Sequence, residues 1–140
     1  MISIKKIKYE QLLNNMRESI DSFPKFKDEM FLVDYSKRLF NNAEFCVAQV
    51  DNRIVGIIAF YANRVPIAYI SHVHVCPLYR KNGIGRKMLD VIMDYVKVKG
   101  FFKIQLEVRI DNVTAYTFYN SYGFKKVEER TEKFLLNLDI

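Results

Sequence analysis

Cysteine is almost missing from this chain of 140 residues: Cys46 and Cys76 are the only two. That excludes a disulfide framework as the source of stability and points to a reducing compartment. Apolar residues nowhere run for the ~20 positions that a membrane span needs. The first twenty residues carry Lys5, Lys6, Lys8, Glu10, Arg17 and Glu18, so they hold no apolar signal-peptide core. A cytoplasmic protein without membrane attachment is the expectation. Like charges never run to five in a row, which weighs against a basic arm for nucleic acid. Internal repeats, low-complexity tracts and a linker are missing as well, which predicts a single domain over residues 1–140.

What is present is ordinary in amount and informative in pattern. Hydrophobic residues make up 50% and charged residues 27%, enough apolar side chains to build a core. The net charge of +6 predicts an anionic partner, such as a phosphorylated small molecule, nucleic acid or an anionic surface.

"MISIKKI" reads as a short strand. Leu12, Leu13, Met16 and Ile20 then recur at helical spacing from Tyr9 onward, and Pro24 punctuates "DSFPKFKDE". A second helix is predicted from Asp28 to Phe40, with Phe31, Tyr35 and Leu39 on one face. "AEFCVAQV" and "RIVGIIAFYA" flank the turn pair "DN" as a hairpin. "PIAYISHVHV" is a third strand, apolar enough on both faces for a central position, and Pro77 marks its end. Ile84, Met88, Ile92 and Val96 line one face of a helix that Gly100 closes. "FFKIQLEVRI" alternates Phe102, Ile104, Leu106 and Val108 with polar residues. Asn112 is a good N-cap for a helix with Ala115, Phe118, Tyr119 and Tyr122 on one face and Gly123 at its end. "FKKVEE" and "EKFLLNLDI" finish as a strand pair. The order βααβββαβαββ predicts a mixed α/β architecture.

The turn "RKNGIG", Arg80 to Gly85, joins the third of the main strands to a helix. A tight connection in which Gly83 supplies a positive φ explains it, and so does an anion cradle. In the second reading the amides at the helix start lack intrahelical partners and face a phosphate, with Arg80, Lys81, Arg86 and Lys87 adding charge. No third glycine follows, which disfavours a dinucleotide-binding Rossmann turn, and the Gly-Lys-Ser/Thr of a Walker loop is missing.

"VHVCPLYRKNGIGRKML" resembles the acetyl-CoA-binding motif of the GNAT family of N-acetyltransferases, Arg/Gln-x-x-Gly-x-Gly/Ala after a strand ending in Val-x-Pro. Arg80, Gly83 and Gly85 fill it. "LEVRIDNVTAYTFYNSYGF" resembles the family's second motif through Asn112, Ala115, Phe118, Tyr119, Gly123 and Phe124. The likeness runs from about Arg53 to the end of the chain. It implies a mostly antiparallel central sheet flanked by helices, and acetyl-CoA as co-substrate without a metal. It also implies an amine acceptor, with neither nucleic acid nor a membrane as partner. The amides of Lys81, Asn82, Gly83, Ile84, Gly85 and Arg86 would hold the pyrophosphate. The backbone of Val73, His74 and Val75 would pair with the pantetheine arm, and Asn112 would touch the cofactor.

Direct acetyl transfer needs oxyanion stabilisation, for which amides near Val75 are the natural donors. Tyr119 either packs in the core or, as the resemblance implies, serves the leaving thiolate. Glu107 is either a solvated strand residue or the base that accepts the amine's proton through water. The spacing of "LEVR" to Tyr119 resembles the ribosomal-protein alanine acetyltransferase branch. Relatives often place a base at the positions of Tyr69 or Ser71, which this chain lacks. His72 and His74 have the opposite parity and are expected to face a helix, with His72 as reserve base if a bulge intervenes. Cys76 is not expected to act as a nucleophile. The acceptor segments "DSFPKFKDEM" and "FYANRVP" carry no decodable motif, and exposure of Phe23, Phe26 and Tyr61 would favour a small amine. A peptide N-terminus or an amino sugar stays open, as does a non-catalytic acyl-CoA-binding module.

Overall fold

The computed structural model describes residues 1–140. Its elements are β1 (Ile2–Ile4), α1 (Tyr9–Glu18), α2 (Glu29–Asn42), β2 (Glu44–Val50), β3 (Arg53–Tyr61), β4 (Ile67–Val75), α3 (Ile84–Val98), β5 (Lys103–Arg109), α4 (Val113–Tyr122), β6 (Lys125–Glu129) and β7 (Lys133–Asp139). Two single 3-10 turns, Pro24–Lys27 and Pro77–Tyr79, complete it. The strands form one sheet in the order β1-β2-β3-β4-β5-β7-β6. Only β4 and β5 pair in parallel. The predicted βααβββαβαββ order and the mostly antiparallel sheet are both present.

Local chemistry explains the joints. Asp51 and Asn52 both take positive φ, 51° and 65°, the conformation that a two-residue hairpin turn requires and that Asp and Asn tolerate. The Asp28 side chain accepts from the Phe31 amide at 3.2 Å, which starts α2 one residue later than the apolar spacing suggested.

The sheet separates two cores. Met88, Leu89, Ile92 and Val96 of α3, all at most 1% exposed, pack with Ile58, Phe60, Ile70, Ile104, Leu106, Tyr119 and Phe124. On the other face Leu12, Met16, Leu32 and Leu39 of α1 and α2, each 0% exposed, pack on Val47, Ile57 and Ala59. Each such side chain contributes about 1.5–3 kcal/mol by leaving water. One expected apolar position fails: Phe102 is 70% exposed and Phe101, at 4%, takes the core. The strand begins only at Lys103, and the turn after α3 carries Phe101 inward, with its amide on the Val96 carbonyl.

Two irregularities of β4 shape everything that follows. Ala59 pairs with His72 while the next residue, Phe60, pairs with Ile70, so Ser71 is an extra residue, a bulge. It reverses the alternation: Ile70 belongs to the α3 core, whereas His72, only two residues on, packs against Phe23 and Phe26 on the α1–α2 face. The second irregularity is a splay. β4 and β5 pair from Ile67↔Lys103 to Ile70↔Leu106 and no further. Beyond that, β4 runs to Val75 on β3 alone and β5 runs to Arg109 on β7 alone.

Candidate active site

The open side of β4 presents backbone to the gap. The Cys76 amide donates to the Val55 carbonyl of β3 at 2.8 Å, so alternation turns the His74 amide toward β3 and those of Val73 and Val75 toward the splay. Side chains of Val73 and Val75 pack on the α3 core.

After β4 the chain makes the Pro77–Tyr79 turn and enters the "RKNGIG" loop. Lys81 (φ 65°) and Gly83 (φ 78°) are both left-handed. Lys87 is the first residue of the helix start whose amide finds a backbone carbonyl, that of Gly83 at 3.0 Å. The six preceding amides, Lys81 through Arg86, have no acceptor in the protein. They sit at the positive end of a 15-residue helix, an arrangement that suits an anion. Space around Gly83 is open, with nothing within 4 Å of an added Cβ. Gly85 is a glycine for a different reason: a Cβ there would lie 3.1 Å from Cζ of Phe118, so α4 leans on the start of α3 at that point.

The basic residues of the loop do not all face the unpaired amides. Arg80 turns back, its Nε donating to the Val75 carbonyl at 2.9 Å. The Arg86 guanidinium lies over the Tyr122 ring, 5.2 Å from its centroid. Lys81 and Lys87 are exposed. The Asn112 side-chain oxygen caps α4 by accepting from the Ala115 amide at 3.2 Å, which leaves its amide nitrogen for a ligand.

Tyr119 and Glu107 lie on opposite faces of the sheet. Tyr119 is 7% exposed within the α3–α4 core, against Phe118 and Phe124, and its hydroxyl has no partner in the protein. Burial pushes its phenol well above the ordinary range. Ile104, Leu106 and Val108 of β5 face that core, so Glu107 projects to the α1–α2 face. It is the first β5 residue beyond the last β4 pair. Its Oε1 accepts from the Tyr69 hydroxyl at 3.2 Å and its Oε2 from Arg130 Nη1 at 2.9 Å. Sequence reasoning missed both partners. Tyr69 reaches Glu107 across the one parallel pairing, and Arg130 returns through the β6–β7 turn, 23 residues away.

Helix α1 grips the splayed half of β4 through residues one turn apart. The Asn15 amide nitrogen donates to the His74 carbonyl at 3.3 Å, so its oxygen accepts from His72 Nε2 at 2.8 Å. His72 therefore carries its hydrogen on Nε2, and its buried Nδ1 has no partner. Burial, with the adjacent His74 in support, lowers its pKa to about 3. A ring so buried and so weakly basic is a core histidine, which removes His72 as reserve base. His74 Nε2 lies 2.7 Å from Glu18 Oε1. Burial, with Glu18 beside it, raises the Cys76 thiol to about 11, so it is no thiolate at neutral pH. The expected aromatic exposure is corrected for Phe26, which is 2% exposed; Phe23 and Tyr61 are half-buried. Phe26 fills the space beneath His72 and Tyr35.

Residues 11–124 match the sequence model of the acetyltransferase (GNAT) family. The chain is 29% identical over 115 residues to the probable N-acetyltransferase camello of Xenopus laevis, covering 79% of this chain and 52% of that one. It is 33% identical over 63 residues to the ribosomal protein bS18-alanine N-acetyltransferase of Escherichia coli K12, covering 45% of this chain and 43% of that one. The chain thus spans about half the length, or less, of these curated relatives. The fold is similar to that of the PaiA N-acetyltransferase from Thermoplasma acidophilum in complex with coenzyme A, with a TM-score of 0.84 at 21% identity over 100% of this chain and 99% of that one.

Proposed function

The chain belongs to the acetyltransferase (GNAT) family, and from that premise we propose that it transfers an acetyl group from acetyl-CoA directly to a primary amine. The observation that carries this reading is the run of six unpaired amides, Lys81 to Arg86, at the mouth of the β4–β5 splay. The amides suit a pyrophosphate, and the free amides of Val73 and Val75 suit an amide-bearing arm that pairs like a strand.

Each residue then has a task. The Val75 amide stabilises the oxyanion as the amine nitrogen attacks the thioester carbon. The Tyr119 hydroxyl donates a hydrogen bond to the sulfur as the C–S bond breaks. An ordinary phenol near 10 already protonates a thiolate near 8.5 uphill by ~2 kcal/mol, and burial holds the Tyr119 proton more tightly still. Hydrogen bonding to the thiolate, with the proton itself arriving late, fits that constraint. Glu107 receives the amine's proton through water, on the face of the sheet opposite Tyr119. The acceptor is a small amine, an amino sugar or a peptide N-terminus, entering from the α1–α2 side.

Acetyl-CoA is expected to stabilise the fold by ~2.7 kcal/mol at a hundredfold excess over Kd. Gly83→Val removes the left-handed residue that shapes the loop, and should abolish the thermal shift while the ligand-free protein still unfolds cooperatively. A full shift in the variant would reject the cradle. Gly85→Val is a poorer test, because it also meets Phe118. Turnover is tested by thiol release from acetyl-CoA with a panel of amines. Binding without release for any amine would leave an acyl-CoA-binding module.

Glu107→Gln keeps an acceptor for Tyr69 but loses the charge opposite Arg130. If Glu107 takes the proton, kcat/KM falls about tenfold or more near pH 7, within the range for general bases. Much of the loss returns at alkaline pH, where the amine deprotonates unaided. A pH–rate profile that matches the native enzyme throughout would remove Glu107 from the reaction.

A further inference from the structure

Glu18, His74 and Arg80 come from three elements, α1, β4 and the loop before α3, yet their side chains form one hydrogen-bonded chain. His74 is 3% exposed. Its Nε2 faces Glu18 Oε1 at 2.7 Å and its Nδ1 faces Arg80 Nη2 at 3.4 Å. Arg80 Nε in turn donates to the Val75 carbonyl at 2.9 Å. One proton arrangement satisfies all three contacts. A guanidinium only donates, so His74 Nδ1 must offer its lone pair; a carboxylate only accepts, so Nε2 must carry the hydrogen. A second proton, on Nδ1, would set N–H against N–H and cation against cation.

Arg80 is the last residue before the six unpaired amides, and Val75 is the last residue of β4. The contact between them therefore fixes how the loop leaves the strand. We infer that His74, oriented by Glu18, is a positioning residue that holds Arg80 against the end of β4 and so sets the shape of the acetyl-CoA loop. This rests on the acetyl-CoA reading of that loop.

The ionisable groups around His74 are Glu18 from α1, Arg80 from the loop and His72 along the strand; Cys76 at its end shares Glu18 and in turn feels Arg53 at the start of β3. Burial lowers the His74 pKa below its ordinary value, and Glu18 offsets this only in part. The neutral, clamping form prevails at neutral pH, and the clamp loosens as acid protonates Nδ1.

Calorimetric titration of the full chain with acetyl-CoA at pH 7.5 and 5.5 tests the assignment. His74→Leu deletes the acceptor and is expected to raise Kd about tenfold at pH 7.5, the scale of one charge-assisted hydrogen bond. In an Arg80→Ala background the same substitution should change Kd little, because its effect passes through Arg80. His74→Asn places a carbonyl oxygen near the Nδ1 position and cannot be protonated. It should hold Kd within about twofold and keep only the pH dependence that ligand phosphate titration gives every variant. Native affinity in His74→Leu, its full weakening repeated without Arg80, or a His74→Asn as weak as His74→Leu would each overturn the positioning role alone. Failure of the native chain to bind acetyl-CoA at all would overturn the loop reading with it. Should His74→Leu not fold, His74→Asn decides: near-native affinity with a flatter pH response supports the role, and lost affinity rejects it.

Discussion

Tyr119→Phe is expected to lower kcat about a hundredfold while the Kd for acetyl-CoA barely moves. The substitution keeps the ring that packs against Phe118 and Phe124 and deletes only the hydroxyl. That hydroxyl has no partner in the protein, so its removal leaves no buried group unsatisfied, and stability should change little. These two expectations separate the roles that the sequence left open for this residue. A side chain needed only for packing would tolerate phenylalanine with full activity. A hydrogen-bond donor to the leaving thiolate would fail in kcat and not in binding, because the interaction exists only as the C–S bond breaks. Native kcat in Tyr119→Phe would assign the residue to the core alone. Pre-steady-state measurement of thiol release resolves the chemical step from product release and prevents a slow later step from masking the loss.

The second large effect is on stability and follows from His72. Its pKa in the fold, about 3, lies far below the 6.5 of an unfolded histidine. The unfolded chain thus binds the proton more readily than the native one, and acid favours unfolding. The contribution is complete above pH 6.5 and is lost progressively as pH falls from 6.5 through about 3. At pH 5 the loss is about 2 kcal/mol, from 1.5 pH units at 1.36 kcal/mol each. His74, also lowered by burial, adds in the same direction. The paired carboxylates Glu29 and Asp111 are lowered instead, so their stabilisation is lost as pH falls from the ordinary carboxylate values toward the lowered ones, below the range of pH 7 to 5 that isolates the histidines. Urea unfolding at pH 7, 6 and 5 should show the native chain losing stability faster than His72→Phe. The variant starts lower, since Asn15 loses its partner, but follows a flatter course. Equal slopes would mean that His72 titrates normally in the fold.

Motifs whose meaning is local were legible in the sequence. "RKNGIG" ends a strand and opens a helix, and its positive φ at Gly83 and unpaired amides follow from the short distance between those two events. Asn112 and Gly123 bracket α4 as their chemistry demands. The alternation of Ile104, Leu106 and Val108 set Glu107 apart from the apolar face of its strand, and the structure adds that Tyr119 lies on that apolar face. What stayed hidden depends on pairing between distant segments. Nothing in "YISHVHV" announces that Ser71 is a bulge; that is settled by β3, where Ala59 and Phe60 take partners two residues apart. Arg80 looked like a free cation because its acceptor, the Val75 carbonyl, is backbone and every residue has one. Phe26 looked exposed beside Pro24 and three lysines or acids, yet the 3-10 turn rolls it under His72. Arg130 could be matched with Glu107 only once β7 was laid beside β5.

The four residue pairs that join β4 to β5, extended by one bond from the Phe102 amide to the Pro66 carbonyl, form the backbone seam between two blocks of the molecule. One block holds β1 to β4 with α1, α2 and α3 packed chiefly on them; the other holds β5, β7 and β6 with α4 against β5. Along the remainder of that boundary each block shows the other an unlaced strand edge, bridged by side chains of the shared core. An extended ligand lying there would act as the missing strand of a divided sheet and as a brace between the blocks. In the proposed reaction it would also hold in register Tyr119, carried by one block, and the Val75 amide, carried by the other. In such a molecule the co-substrate is a structural member for as long as it is bound, and the alignment needed for chemistry is completed by the compound that undergoes it.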